Sequence, residues 1–177
     1  MIYLALRRTR LTEIPEAFRT GFINGVKTSL FWILQKLTRY QGYTHVCLIL
    51  VTLAGEYRYT LIHQTWDGPD AVAVVNPFDW FDETVLLPDA SFIDVTKRFM
   101  TALEVGYATS PWDVVLAWRG LPNHGCSYFV GQLLGIEPNN MYTPTALIEW
   151  VSTRIVNHAQ NVEAKTTSSS ISTSQDK

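Results

Sequence analysis

Residues 43–53 of the chain read YTHVCLILVTL, a run in which both alternating sets of positions are largely apolar. A strand with two apolar faces is typical of the centre of a sheet. Residues 57–65 predict the returning strand after a short turn, and residues 71–75 and 82–87 predict a third and a fourth strand. The apolar residues 1–6 predict one further strand. The sequence therefore predicts an antiparallel sheet built around a buried strand at 43–53.

Helices are predicted in the chain segments before and after the strands at 43–87. Apolar residues recur every three or four positions, which predicts helices over 13–37, 89–108, 110–118 and 126–134 and a last helix from 142 onward. Ser91 is expected to cap the second of these helices, and Gly135 lies at the C′ position of the fourth. Together with the antiparallel strands predicted between residues 43 and 87, which would follow one another in a meander, this pattern predicts an α+β fold.

The first predicted helix carries a long apolar stripe. The stripe consists of Phe18, Phe22, Val26, Leu30, Ile33, Leu34 and Leu37. We expect it to face the core, while an interfacial or partner-binding face, for a virion component or another protein, is the alternative. Gly21 and Gly25 weaken the helix or permit close packing.

Length and composition predict one domain with a disordered tail. The 177 residues are 47% hydrophobic and 17% charged, which is sufficient for a substantial core. Residues 1–159 are predicted to form this single domain. Residues 160–177 are rich in Ser and Thr and poor in large apolar side chains, so we expect them to be disordered.

Charge, cysteine content and hydropathy indicate which partners are disfavoured and in which compartment the protein is expected. The net charge of −2 argues against nucleic acid as a partner. Neither a signal peptide nor a transmembrane segment of about 18 apolar residues is recognisable. The two cysteines, Cys47 and Cys126, are too few for a disulfide scaffold. We therefore expect a cytoplasmic or virion-associated protein.

Cys126 is the strongest candidate for a nucleophile. It follows Gly125 at the predicted start of a helix, where free backbone N–H groups and the helix dipole stabilise a thiolate. We expect this position, with a neighbouring imidazole, to lower the pKa of the thiol. A buried, inert cysteine is the alternative.

Two histidines could assist this thiol. His45 begins an otherwise apolar strand, where an imidazole requires a polar partner. His63 lies on the returning strand, and a hairpin brings the two histidines close together. His45 could then serve as a general base that His63 orients. The alternatives are a core histidine with satisfied hydrogen bonds and, for the orienting role, Gln64 on the other face of the strand.

Four motifs occur in an order that resembles one known family. The chain reads HVCLI at 45–49, LIHQ at 61–64, GCSYFV at 125–130 and TPTAL at 143–147. In this order and with these residues it resembles the circularly permuted branch of the NlpC-type papain-like cysteine peptidases. Two departures are that Cys47 replaces a glycine and that Tyr128 stands where many relatives have glutamate.

The resemblance implies a permuted papain-like fold, an antiparallel sheet packed against the cysteine helix. It implies Cys126 as nucleophile, His45 as base and then acid, and His63 as the orienting group of a hydrolase that cleaves an amide or peptide bond. A peptide or cell-wall fragment would be the substrate, with no cofactor. Oxyanion or pocket roles would fall to Tyr43, Trp112 and Tyr128, with Trp66 among the other aromatic residues near the site.

Three other functions compete with a peptidase. The residues His45, Cys47, His63, His124 and Cys126 could supply a tetrahedral zinc site, although their spacing matches no common zinc pattern. A papain-like binding or virion structural protein without turnover is a second alternative. An acyl or lipid ester hydrolase or transferase is a third. His124 and His158 are interpreted as surface residues.

Overall fold

The chain forms an α+β structure in which one antiparallel sheet is covered by helices. The structure is a computed structural model that describes residues 1–37, 43–54, 56–65, 67–105, 113, 116, 121, 123–136 and 143–157. Its strands are β1 (Ile2–Arg7), β2 (His45–Ala54), β3 (Glu56–Gln64), β4 (Pro69–Val74) and β5 (Glu83–Leu86). Its helices are α1 (Glu13–Thr20), α2 (Phe22–Leu37), α3 (Phe92–Val105), α4 (Cys126–Leu134) and α5 (144–157), with a 3₁₀ turn at Pro77–Trp80.

The sheet has the order β4-β3-β2-β1-β5, and every neighbouring pair is antiparallel. Strand β2 lies at its centre, so the prediction made from its two apolar faces is confirmed. The strands predicted at 1–6, 57–65, 71–75 and 82–87 are also present within a few residues. The last of them, β5, does not extend the meander but pairs with β1 on the opposite side of the sheet.

The sheet separates two apolar clusters, because successive side chains of each strand point to opposite faces. Residues Leu4, Val46, Leu48 and Ile62 belong to the larger cluster, which includes residues of α3, α4 and α5. The smaller cluster lies on the other face and consists of Ala5, Cys47, Ile49, Val51 and Leu61, covered by Tyr3, Tyr59, Val74, Phe78 and Phe81. Both faces of β2 are therefore buried.

Local signals set the helix ends as predicted. The Ser91 hydroxyl accepts the Asp94 N–H at 3.3 Å before α3, and the Thr143 hydroxyl accepts the Ala146 N–H at 3.1 Å before α5. Helix α4 begins at Cys126 and is followed by Gly135 in the left-handed conformation, with φ 72° and ψ 30°. These contacts satisfy backbone groups that the helix itself leaves unpaired.

The prediction for the first helix is wrong in two respects. It is divided at Gly21 into α1 and α2, and its apolar stripe does not face the core. The side chains of Phe18, Phe22, Val26, Leu30 and Ile33 are all exposed. The two helices pack mainly against each other, and the periodicity that indicated an amphipathic helix did not reveal what would cover it.

Gly25 permits the close packing that its small size suggested. A Cβ atom at this position would lie 2.2 Å from the ring of Phe18. The phenylalanine of α1 therefore rests directly on the backbone of α2, and the N-terminal helix pair (α1 and α2) is held together at this contact.

Several predictions fall outside the described residues. These include the disordered tail at 160–177, most of the helix predicted at 110–118, and the side chains of Trp66, Trp112 and His158. Asp113 and Leu116, the two described residues of that predicted helix, are helical. Within the described part of the chain, no helix is both long and apolar enough to cross a bilayer.

The left-handed Gly135 gives a test of the α4 terminus. Gly135→Ala should lower the free energy of unfolding by about 1–2 kcal/mol, since a Cβ disfavours this conformation. The new Cβ would also meet the Arg98 guanidinium, which donates to the Leu133 carbonyl at 3.0 Å. Urea unfolding measures the loss. Gly135→Asn is the control and should lose less, because asparagine tolerates the left-handed region; equal stability of the alanine variant and the unchanged protein would contradict this account.

Candidate functional site

The Cys126 thiol is carried on the first residue of α4. The preceding Gly125 is the N-cap residue and is extended, with φ −72° and ψ 176°. The cysteine is partly buried and packs against the larger apolar cluster. The structure thus confirms that Cys126 opens a helix, where backbone N–H groups have no partner within the helix.

The loop before α4 is fixed by two polar side chains that sequence reasoning did not single out. Buried Asp113 accepts the His124 N–H at 2.7 Å. The Asn123 side chain accepts the Gly125 N–H at 2.8 Å and donates to the Leu121 carbonyl at 3.0 Å. The Asn-x-Gly sequence is a signal for such a turn, whereas the contact with Asp113 depends on the tertiary fold.

The surroundings of the thiol do not lower its pKa as expected. Burial is the largest influence on Cys126 and raises the pKa of the thiol. Hydrogen bonding from the Val46 N–H, the Ser127 hydroxyl and the N–H groups of Cys126 and Ser127 opposes this effect. Cys47 has its pKa raised by burial as well, with the Cys126 thiol adding to the shift. Both cysteines are therefore neutral thiols near pH 7.

The thiol lies where the central sheet opens. The β2–β3 pairing ends at Leu48↔Ile62, although β2 begins at His45 and β3 continues to Gln64. The Val51 N–H donates to Met1 on the β1 side at 2.8 Å. Because N–H directions alternate along a strand, the Val46 N–H points to the β3 side. It therefore faces the opening between β2 and β3. This N–H is one of the groups that hydrogen-bond the Cys126 sulfur.

The two histidines flank the same opening. Their ring centroids are 5.9 Å apart and the ring planes are nearly perpendicular, at 83°. Burial lowers the pKa of His45 to about 4, with smaller contributions from the charges of His63 and Arg7. Burial also lowers the pKa of His63, against the opposing influence of Asp70. Both imidazoles are consequently neutral at pH 7.

Asp70 is the carboxylate closest to this pair. It lies opposite His63 in the β3–β4 register, with its Oδ2 atom 3.7 Å from His63 Nε2. This distance is too long for a hydrogen bond, and His63 Nε2 is a buried atom without a hydrogen-bond partner among the described residues. Asp70 therefore acts on His63 through its charge.

Strand alternation determines the side from which each group approaches. His45 and His63 share the parity of Cys47 and Leu61, which face the smaller apolar cluster, whereas α4 packs on the other face. Among the described residues, no hydrogen bond joins the thiol to an imidazole. The thiol and the imidazoles thus lie near the same strand ends but on opposite faces of the sheet. Gln64, which is buried, has the parity of the α4 face.

Two of the three predicted pocket residues, Tyr43 and Tyr128, lie in the described structure, and each contacts a neighbouring side chain. The Tyr43 hydroxyl donates to Glu83, and the Arg8 guanidinium lies 4.8 Å from the centre of the Tyr43 ring. Tyr128 lies on α4 two residues after the thiol and contacts exposed His124 edge-on, with ring centroids 5.9 Å apart. Trp112 lies outside the described residues.

The described residues contain no arrangement of side chains that supports the zinc alternative. No group of three or more His, Cys, Asp or Glu side chains is placed there to hold a metal ion. The sheet explains part of this result, since Cys47 belongs to the smaller apolar cluster and Cys126 packs against the larger one.

No family model, curated protein or solved structure matches the chain.

The buried His45 predicts an acid-dependent loss of stability. The unfolded chain takes up this proton near pH 6.5 and the folded chain near pH 4, so lowering the pH across this interval favours unfolding. We expect the free energy of unfolding to fall by up to about 3 kcal/mol from pH 7 to pH 4 on account of His45. Urea unfolding at each pH measures this loss. His45→Gln should show a flatter profile, and two parallel profiles would contradict the prediction.

Thiol labelling tests the state of Cys126. Iodoacetamide should label Cys126 before Cys47, because Cys47 is fully buried in the strand interior. Since the pKa of Cys126 is raised, its labelling rate should still increase above about pH 9. Peptide mass mapping locates the adduct, and Cys126→Ala should abolish the fast phase. Preferential labelling of Cys47, or a rate that is already constant by about pH 7, would contradict the prediction.

Proposed function

We propose that the protein is a cysteine hydrolase that cleaves an amide or peptide bond, with Cys126 as the nucleophile and His45 as the base. The observation that carries this proposal is the convergence of the α4 N-terminus with the open end of β2. The Val46 N–H acts on the Cys126 sulfur, and His45 is the neighbouring residue on the same strand. His63 then lies beside His45, at 5.9 Å between ring centroids.

The motif order supports a permuted NlpC-type papain-like fold for this site. The two histidine strands precede the cysteine helix in the chain, and all three elements meet at one end of the sheet. Cell-wall peptides are the substrate class that this likeness suggests. Residues 1–159 would form the hydrolase domain.

Acylation begins with a neutral thiol and a neutral imidazole. His45 accepts the thiol proton as Sγ attacks the substrate carbonyl carbon, and the carbonyl oxygen becomes an oxyanion. The Cys126 N–H at the helix start is a donor for this oxyanion. When the intermediate collapses, the C–N bond breaks and His45 transfers its proton to the departing amine. The acyl group remains on Cys126 as a thioester.

Deacylation uses the same groups in the reverse direction. A water molecule attacks the thioester carbonyl while His45 accepts its proton. The C–S bond then breaks, the carboxylic acid leaves, and the proton returns to the Cys126 sulfur. His63, a positioning residue, would hold the His45 ring in the orientation that both steps require.

The low pKa of His45 has a consequence for this cycle. An imidazole with a pKa of about 4 stays unprotonated in mild acid, so it is available as a base at pH 5–6. It is also a weak base, and the proposed proton transfer requires a contact between the ring and the thiol, which have no hydrogen bond between them in the described structure. Catalytic hydrogen bonds are frequently long in the ligand-free state and tighten in the substrate complex.

A binding protein without turnover is the second candidate function. The observation that favours it is that burial keeps both the thiol and the imidazole neutral, without a hydrogen bond between them in the described structure. Such a protein would hold a peptide at the same opening but would not form a thioester. A covalent acyl adduct on Cys126 distinguishes the two functions.

Hydrolysis of cell-wall peptide fragments and of a generic activated ester tests the proposal. Cys126→Ala should reduce the rate by about 10⁴-fold or more, because no nucleophile remains. The rate of His63→Ala should be about 100-fold higher than that of Cys126→Ala, since nucleophile and base are both retained. His63→Gln should recover part of the activity, because an amide can still hydrogen-bond the His45 ring. Mass spectrometry should detect the acyl adduct on Cys126.

Gln64→Ala tests the alternative orienting residue, since Gln64 is buried and has the parity of the α4 face. If His63 is the orienting residue, Gln64→Ala should retain more activity than His63→Ala at matched concentrations of folded protein. Full activity of His63→Ala together with an inactive Gln64→Ala would assign the orienting role to Gln64. Absence of both turnover and adduct in the unchanged protein would favour the binding function.

A further inference from the structure

The N-terminal helix pair presents an apolar surface that no described part of the chain covers. The described part of the predicted apolar stripe that lies on α2 is exposed together with Ile23, and from here on the apolar stripe means these exposed side chains: Phe22 (75% accessible), Ile23 (67%), Val26 (46%), Leu30 (41%) and Ile33 (44%). These positions recur at helical spacing, so they lie along one side of α2. Isolated exposed apolar residues are ordinary, but a continuous stripe over three turns indicates a binding surface.

The charge around the stripe is strongly biased. Seven of the 14 Lys and Arg residues lie between positions 7 and 39, but only two of the 16 Asp and Glu residues do. No acidic residue occurs between Glu16 and Glu56. The segment 7–39 therefore carries a formal charge of +5 in a chain of net charge −2. Ion pairs join Arg7 to Glu13, Arg10 to Asp82 and Arg19 to Glu16 in the described part of this segment.

The cations of α2 are arranged beside the apolar stripe. Lys27 follows Ile23 by four positions and precedes Leu30 by three, so it borders the stripe on the helix surface. Lys36 is the other charged residue of α2, and the helix has no acidic residue. An apolar stripe flanked by cations alone is typical of a helix that lies in the interface of an anionic bilayer.

A second copy of the chain fits this surface less well. Two stripes in contact would bring together two segments of charge +5, and like charges at close range oppose association. An anionic lipid surface supplies both an apolar layer for the stripe and negative charge for the lysines.

We propose that the N-terminal helix pair docks on the surface of an anionic lipid bilayer, with the apolar stripe of α2 inserted at the boundary of headgroups and acyl chains and the positive charge of the segment 7–39 attracting the lipid phosphates. The chain lies on the membrane in this state and does not span it. The rest of the chain, which carries a formal charge of −7, is directed away from the bilayer by repulsion.

The points at which the helix pair joins the sheet determine which end of the sheet lies close to the bilayer. The pair is inserted between β1 and β2, and the Thr9 and Thr44 hydroxyls at its two ends lie 2.7 Å apart. The Arg8 N–H also donates to Asp82 at 2.7 Å, which ties the start of the pair to the residue before β5. His45 follows Thr44 directly. Docking therefore brings the lipid surface to the same end of the sheet as the Cys126 opening.

Vesicle co-sedimentation with the full chain tests the proposal. Vesicles of phosphatidylcholine alone are compared with vesicles that also contain about 30 mol% phosphatidylserine, at roughly 0.1 and 0.5 M NaCl. We expect binding to the anionic vesicles at low salt and weak binding to the neutral ones. Phe22→Ser/Ile23→Ser should reduce the partition coefficient roughly 100-fold. Lys27→Gln/Lys36→Gln should reduce it about 30-fold.

A matched variant separates this surface from general hydrophobicity. Val75→Ser/Ile93→Ser removes two apolar side chains of similar exposure (89% and 64%) outside the helix pair. It should bind the anionic vesicles as the unchanged protein does. Thermal unfolding of each variant should be unchanged, since all of the substituted apolar side chains are exposed.

Three outcomes would overturn the proposal. The first is equal binding to neutral and anionic vesicles, and the second is equal loss of binding in the Val75→Ser/Ile93→Ser variant. The third is failure to bind any vesicle, with dimers in sedimentation equilibrium that Phe22→Ser/Ile23→Ser abolishes; this result would assign the stripe to a second copy of the chain. Because vesicle binding does not require Cys126, the outcome is independent of the proposed hydrolase activity.

Discussion

Strand β2 is buried on both of its faces, and this constraint decides where the protein can place polar chemistry. Val46 and Leu48 face the helices, while Cys47 and Ile49 face the smaller cluster. A polar side chain in the middle of such a strand would lose its hydration on either face. His45 is the first residue of the strand, and burial there keeps its imidazole neutral. The separation of β2 from β3 begins at the same end.

The thiol and the two imidazoles lie near the opening between these strands, on opposite faces of the sheet, and burial acts on all three. Burial disfavours charge on all of them, so the resting pair is a thiol and an imidazole and not a thiolate and an imidazolium. Groups in this state are less reactive toward solvent and oxidants than an ion pair is. In the proposed hydrolase, proton transfer would have to be coupled to substrate binding, because a substrate carbonyl and the helix N-terminus supply stabilisation that a buried site otherwise lacks.

Local patterns predicted most of the elements, and tertiary contacts account for the differences. The two apolar faces of β2, the serine before α3 and the glycine after α4 act over a few residues, so they could be recognised in the sequence. The pairing of β5 with β1 could not, because both β1 and β4 were possible neighbours. The outward orientation of the Phe22 stripe was missed for a similar reason, since periodicity defines a face but not its partner.

At the candidate site, the sequence indicated the residues better than their chemistry. Cys126 was correctly placed at a helix start, and the two histidines lie near each other, as a hairpin predicts. The pKa of the thiol was predicted in the wrong direction. The dipole of a helix can be inferred from its first residue, but desolvation depends on elements distant in the chain that cover the thiol. The contact of Asp113 with the loop before α4 belongs to the same class of non-local effects.

The position of β1 between β2 and β5 also governs the order in which the sheet can assemble. This strand precedes all the others in the chain, yet its neighbours are β2, through Ile2↔Leu50, and β5, through Tyr3↔Leu86. Both pairings close long loops, and proteins rich in such distant contacts fold slowly. The helices of the N-terminal pair pack mainly against each other in the described structure, and such local contacts form faster. Until β5 has been synthesised, β1 is an apolar strand with an unpaired edge, so the growing chain depends on rapid completion of the sheet, or on a chaperone, to avoid aggregation.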